Sequence, residues 1–361
     1  MEKLLIIFCF FALMSCGDDD SSIGDNYDRS SMLSNWSDNI IIPAHSDLQS
    51  KLTDLKNSND TFTSDVSQTN LDLLRDTYLS AYKTWQHVMM FSSLGRAQEL
   101  DLYNKLNRYP TDAFLIDLNI SSNSTDLTNV SDTEQGFPAI DYMLFGLESN
   151  DADILSKYAD PNYPAYLTAL VQKIIDLNDA VLNDWNNGFR DSFVQSSGNT
   201  FTSSVNVMVN DYIFNYEKYF RTYKLGGPLG IFSNEVRPQD VEVYYGKQSK
   251  ELCLESLDAI ENFFNGKAYA SSQEGASLKT YLENLDAKKD GEALVPLMLN
   301  QLQVARTKIN ELDSDFASQL TTDTNKATEA FDEMQRMIVY LKVDMLSALN
   351  IGVDYVDNDG D

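Results

Sequence analysis

Apolar residues recurring at intervals of three and four, in one stretch after another, commit this chain to packing helix against helix. Leu71, Leu74, Tyr78, Leu79, Tyr82, Trp85 and Met89 form one stripe, Leu294, Leu297, Leu302, Ala305, Ile309 and Leu312 a second, and Phe331, Met334, Ile338, Leu341, Met345 and Leu349 a third. Side chains so spaced share one face of an α-helix, and each face needs a partner surface. Trp36, Ile40, Ile41, Leu48, Leu52 and Leu55 follow the same rule, but Pro43 lies among them and is expected to kink or break that helix. Further helices are predicted over residues 100–106, 163–185 and 201–223. Another is predicted over 238–264, with Pro238 at its first position and Asp240 and Glu242 complementing its dipole. A rigid turn, Gly226-Gly227-Pro228-Leu229-Gly230, separates the last two, and residues 119–132 form a polar loop. No convincing hairpin or short-period repeat stands out. The predicted fold class is all-α, two packed helical bundles over residues 31–195 and 196–353, divided in the polar stretch 187–200.

The N-terminus speaks to compartment. Lys3 precedes an apolar run over residues 4–14, too short for a spanning helix and suited to a signal peptide over residues 1–15. Ser15-Cys16 at its end resembles a lipobox, which implies lipidation of Cys16 and a membrane anchor. The plainer alternative is a secretory signal with an incidental cysteine. Gly17-Asp18-Asp19-Asp20-Ser21-Ser22 opens a flexible tether over residues 16–30; it resembles a surface-export tag, or is a solvated linker facing the periplasm. Cys9 leaves with the signal and Cys16 is lipidated, so only Cys253 remains and stability must come from a large core. The net charge of −28 argues against nucleic acid as a partner and favours solubility. Asp357, Asp359 and Asp361 in the acidic tail, residues 354–361, alternate like the start of a calcium loop, but no closing glutamate follows.

The inventory for catalysis is thin. His45 and His87 are the two histidines, and H-E-x-x-H, G-x-S-x-G and Gly-rich phosphate-loop motifs are absent from the sequence. The sharpest feature is Gly136-Phe137-Pro138-Ala139-Ile140-Asp141-Tyr142-Met143-Leu144-Phe145-Gly146, an acid set among apolar side chains. A carboxylate buried there must be paired, hydrogen-bonded or metal-bound, which makes Asp141 a site candidate. The competing reading has Asp141 facing solvent or satisfying a helix N-terminus, with Pro138 in the first turn.

That segment resembles the G-x-H-x-x-E hallmark of the imelysin-like family. Gly136 matches the glycine, Pro138 stands in the histidine's place and Asp141 in the glutamate's. Ala81-Tyr82-Lys83-Thr84-Trp85, Asn107-Arg108-Tyr109-Pro110-Thr111-Asp112, residues 225–230 and Val243-Tyr244-Tyr245-Gly246 are similar to further segments of the Bacteroidota branch, in the family's order. The resemblance implies two helical bundles with a site near their junction and a role in iron or haem uptake. It also carries a peptidase label, weakened here because Pro138 offers no ligand atom. The expected ligand-binding residues are Asp141, Trp85, Tyr109, Gly136, Phe137 and Tyr244; a metal would take Asp141, with His87 standing in for the lost histidine. The preferred expectation is a lipid-anchored outer-membrane protein facing the cell surface. It would bind iron or haem, without catalysis, beside outer-membrane uptake proteins. A metal-dependent peptidase and a non-catalytic interaction module are the alternatives.

Overall fold

The computed structural model describes residues 25–353. The expected signal peptide, Cys16, most of the tether and the acidic tail lie outside the described residues. The architecture is helical almost throughout, as the stripes predict. Ile42–Ser64 and Gln68–Val88 pack side by side, joined by three residues, and Asn162–Asp184 packs against the first of them. Their facing stripes are fully buried, including Leu48, Leu52 and Leu55, Leu71, Leu74 and Tyr78, and Leu167, Leu170 and Ile174. His45 sits in this core, its Nδ1 2.8 Å from Asn178 Oδ1, and burial lowers its pKa to about 4, so it is a neutral packing residue.

A second group follows. Ser204–Phe214 continues through a wider, π-type coil, Asn215–Gly226, and packs with Ser249–Asn265 and Thr324–Val339. Leu294–Asn310 fills between the last two. Gly226 permits close approach: a Cβ there would lie 2.6 Å from the Phe331 ring. The two groups meet where Gln68–Val88 packs on Ser249–Asn265.

Four details differ from expectation. Pro43 does not break its helix. It stands at the second position of Ile42–Ser64, and the wider π-type turn Trp36–Ile41 ahead of it makes room for the pyrrolidine ring. The helix expected from Pro238 begins only at Ser249, because Val243 and Lys247 adopt positive φ of 51° and 56°, which no right-handed helix continues through. Lys288–Lys289 and Glu292–Ala293 form a small hairpin over Asp290-Gly291, both of positive φ, as a two-residue turn requires. Finally, the chain's start packs on residues up to 195, as where Arg190 pairs with Asp38 at 2.6 Å, and also reaches beyond them. Tyr27 stacks on Tyr281 with centroids 4.3 Å apart, Trp36 meets Phe263 at 5.0 Å, and Asn35 Nδ2 donates to the Gly266 and Ala276 carbonyls at 3.0 Å each.

Candidate functional site

Asp141 is buried, and its partners are backbone donors. Its Oδ2 accepts from the Tyr245 N–H at 2.8 Å and its Oδ1 from the Gly246 N–H at 3.0 Å. Both oxygens thus tether the loop that carries Glu242 to Gly246. The fit is close: a Cβ on Gly246 would lie 2.8 Å from Oδ1. Burial raises the carboxyl's pKa from 3.8 to about 7 against the pull of those two donors. The folded chain therefore holds this proton between about pH 4 and 7 while the unfolded chain releases it. Asp141's contribution to stability is fully present below about pH 4, declines as pH rises, and is lost above about 7. Asp141→Asn should remove that slope. In urea melts from pH 4.5 to 8, the stability of wild type minus variant should fall by up to about 4 kcal/mol and then level off. A pH-independent difference would contradict this assignment.

The junction of the two helix groups holds a different polar centre. Lys224 and Glu242 form an ion pair, both side chains only 2% exposed. Lys224 Nζ also donates to Gln86 Oε1 at 2.7 Å; Gln86 Nε2 and Asn107 Nδ2 donate to Glu242 Oε1 at 3.2 and 2.8 Å. Tyr82 closes the circuit by donating its hydroxyl to Asn107 Oδ1. A buried ion pair tolerates its desolvation only when its remaining lone pairs and protons are satisfied, and here amides do so. The five members come from four places. Tyr82 and Gln86 lie one turn apart on Gln68–Val88, Asn107 ends Leu102–Asn107, Lys224 lies in the π-type coil, and Glu242 sits on the loop held by Asp141.

Aromatic side chains surround this centre. Tyr82 stacks on Phe137 at 4.6 Å, Trp85 packs against Phe137 and Tyr103, and Tyr103 stacks on Tyr219 at 3.5 Å. The hydroxyls of Tyr103 and Tyr109 and the Trp85 Nε1 are buried without a hydrogen-bond partner among the described residues. Burial first, and the Glu242 charge second, push the Tyr103 and Tyr109 phenols well above their ordinary pKa. They stay protonated and act as donors rather than as phenolate ligands.

A cleft of about 310 Å³ opens from this centre to solvent, with Asn107 and Tyr109 in its floor and Arg108, Tyr223, Arg237 and Asp240 on its walls. Arg237 Nε bridges Asp240 Oδ2 at 2.9 Å, and Tyr109 and Tyr223 meet edge to face at 6.5 Å. Arg108 is exposed, so the mouth is cationic on an otherwise acidic protein. The arrangement suits an anionic, partly aromatic ligand: guanidinium outside, rings along the walls, phenol donors within.

The structure brings only some of the expected residues here. Tyr109 lines the cleft. Trp85, Phe137 and Gly136 are buried beneath the polar centre, with Gly136 at φ 76° against the Leu106 carbonyl. Tyr244 lies on the surface against Tyr245. Asp141 and His87 are not brought together: His87 Nε2 pairs with Glu255 Oε1 at 2.7 Å, and the two share no partner. Among the described residues no three His, Cys, Asp or Glu side chains converge as a metal ligand set. The joint metal site expected at Asp141 and His87 is therefore corrected: one carboxylate is occupied by backbone donors, the other histidine by a glutamate. Lys224, Glu242, Gln86 and Asn107 went unread as site residues. Their only sequence signal is that they lie in or beside the segments 81–85, 107–112, 225–230 and 243–246.

Known proteins place this geometry in context. The family described as Peptidase_M75: Imelysin matches residues 41–342. The fold is similar to the crystal structure of an iron-regulated protein A precursor from Parabacteroides distasonis, with a TM-score of 0.74 and 17% identity over 89% of this chain and 95% of that one. It is also similar to an imelysin-like protein from Psychrobacter arcticum, with a TM-score of 0.72 and 17% identity over 92% and 99% of the respective chains. No curated protein shows significant sequence similarity to the chain.

Proposed function

The chain belongs to the imelysin family, and from that premise we propose that it is a non-catalytic binding component of iron acquisition, taking an anionic iron chelate or haem in the Tyr109 cleft. The observation that carries this reading is the buried Tyr109 hydroxyl, without a hydrogen-bond partner among the described residues, in an arginine-rimmed cleft that Asn107 of the Lys224–Glu242 network also lines. Buried donors without acceptors cost stability in the free protein, and a ligand oxygen would recover that cost. The name of the Parabacteroides distasonis protein, iron-regulated protein A precursor, supports an iron-related role. Cys16, the acidic tether and the short apolar run before it support a lipid-anchored protein of the outer membrane facing the cell surface, beside outer-membrane uptake proteins. Among the described residues no helix is long and apolar enough to cross a membrane, so an anchor of this kind falls to residues outside them.

The test is a titration of the purified chain with ferric citrate and with haem, followed by tryptophan fluorescence, in wild type, Tyr109→Phe and Arg108→Ala. Tyr109→Phe deletes a hydroxyl that no group among the described residues uses. It should leave the urea midpoint unchanged or raised while weakening the bound chelate about tenfold, equal to one lost hydrogen bond of about 1.4 kcal/mol. Arg108→Ala should weaken binding most at low salt. Absence of binding by either compound, or affinity indifferent to both substitutions, would remove this reading.

A further inference from the structure

A second pocket, of about 480 Å³, lies between Gln68–Val88 and Ser249–Asn265 under the loop of residues 266–276. It is separate from the Tyr109 cleft and shares no lining residue with it. The loop over it is firmly held. Asn35 Nδ2 donates to the Gly266 and Ala276 carbonyls, the Tyr269 N–H to the Asn39 carbonyl at 2.8 Å, and the Tyr269 hydroxyl to Asp47 Oδ2 at 2.6 Å. The pocket is thus preformed, and its size lies within the range of small-molecule sites.

Its chemistry is divided. Phe91 and Phe263 give it a buried aromatic floor. Glu255 enters from Ser249–Asn265 with Oε1 engaged by His87 Nε2 at 2.7 Å, while Oε2 has no protein partner among the described residues. The His87 hydrogen bond holds this carboxyl below the usual glutamate range, so it is anionic at neutral pH. Lys267 lines the same pocket, and its ammonium meets no carboxylate among the described residues. A carboxylate held on one side by His87 and a lysine without a carboxylate partner among the described residues, in a pocket also lined by aromatic rings, describe the complement of a small zwitterion with an apolar body.

We propose that this pocket binds a free amino acid with an apolar side chain, its ammonium on Glu255, its carboxylate on Lys267 and its side chain against Phe91 and Phe263. His87 acts as a positioning residue, fixing the Glu255 carboxylate by occupying its other oxygen. This site is independent of the iron reading and stands or falls without it.

The experiment is a thermal-shift screen of the purified chain against each of the twenty standard amino acids, with calorimetric titration of any that respond. One or more apolar amino acids should raise the melting temperature saturably. The amide and the des-amino analogue of a responding amino acid should each bind about tenfold more weakly or worse, as should wild-type ligand to Glu255→Gln and to Lys267→Met. Lys267 lies on the loop at the pocket's edge, so Lys267→Met keeps the test decisive even where Glu255→Gln destabilises the fold. A screen with no saturable response, or a response that survives both substitutions, overturns the proposal.

Discussion

Replacing Lys224 with methionine alone should lower the stability of the folded chain by about 3–5 kcal/mol, because it leaves Glu242 buried without a counter-charge. The amides of Gln86 and Asn107 still donate to Glu242, so the loss should not exceed that range. The double variant Lys224→Met/Glu242→Leu should recover part of the loss, since an apolar pair of similar volume needs no desolvation, while Gln86 Oε1 and Asn107 Nδ2 lose the partners they have in the wild type. Urea unfolding of the two variants against wild type checks both statements. The double variant also separates folding from function. It should fold with wild-type cooperativity and yet fail to bind an iron chelate, because the network that fixes Asn107 and Tyr82 beneath Tyr109 has lost its centre. A Lys224→Met loss below about 1 kcal/mol would mean that the pair is not desolvated as the packing requires.

Gly136→Ala carries the second large effect. Gly136 has φ 76°, and a Cβ there would stand 2.5 Å from the Leu106 carbonyl oxygen and 2.6 Å from that of Lys105. Backbone cannot rotate aside as a side chain can. Left-handed strain and forced separation of Gly136–Asp141 from Leu102–Asn107 together should cost about 2–4 kcal/mol. Gly188→Ala is the matched control: its φ is 128° but nothing lies within 4 Å of the added carbon, so only the conformational cost applies. Equal losses at the two positions would show that the contact with Leu106 is not a constraint. If the losses differ as expected, Gly136→Ala should also disturb ligand binding, because Asn107 follows directly on Leu106.

Much of the helical frame was legible because burial and periodicity coincide. The stripes at residues 71–89, 294–312 and 331–349 are the buried faces of the helices that form. Where local propensity and tertiary demand conflict, the reading failed. Pro238, Asp240 and Glu242 look like a helix start, yet Asp141 pins Tyr245 and Gly246 from a distance of a hundred residues and bends the segment into a loop. Glu242 then turns inward to Lys224 instead of facing a helix dipole. Partnerships of that kind, like His87 with Glu255 across 168 residues, leave no periodic trace. The apolar context of Asp141 left open whether the acid is buried or faces solvent; it is buried, and composition does not distinguish metal from backbone N–H as its partner. The segment that carries Tyr109 stands out in the sequence, and the fold sets Tyr109 in the lining of the cleft. Lys224 and Asn107 read as ordinary polar residues until the fold set them together.

On the proposed function, ligand sits in the cleft beside Tyr109, next to the Lys224–Glu242 pair, and not at Asp141. A crystal structure grown with whichever of ferric citrate or haem binds tightest addresses it directly. Ligand density is expected between Tyr109 and Tyr223, with an oxygen within hydrogen-bonding distance of the Tyr109 hydroxyl and Asp141 still holding Tyr245 and Gly246. Density bonded to an Asp141 oxygen, with the loop released, would contradict it.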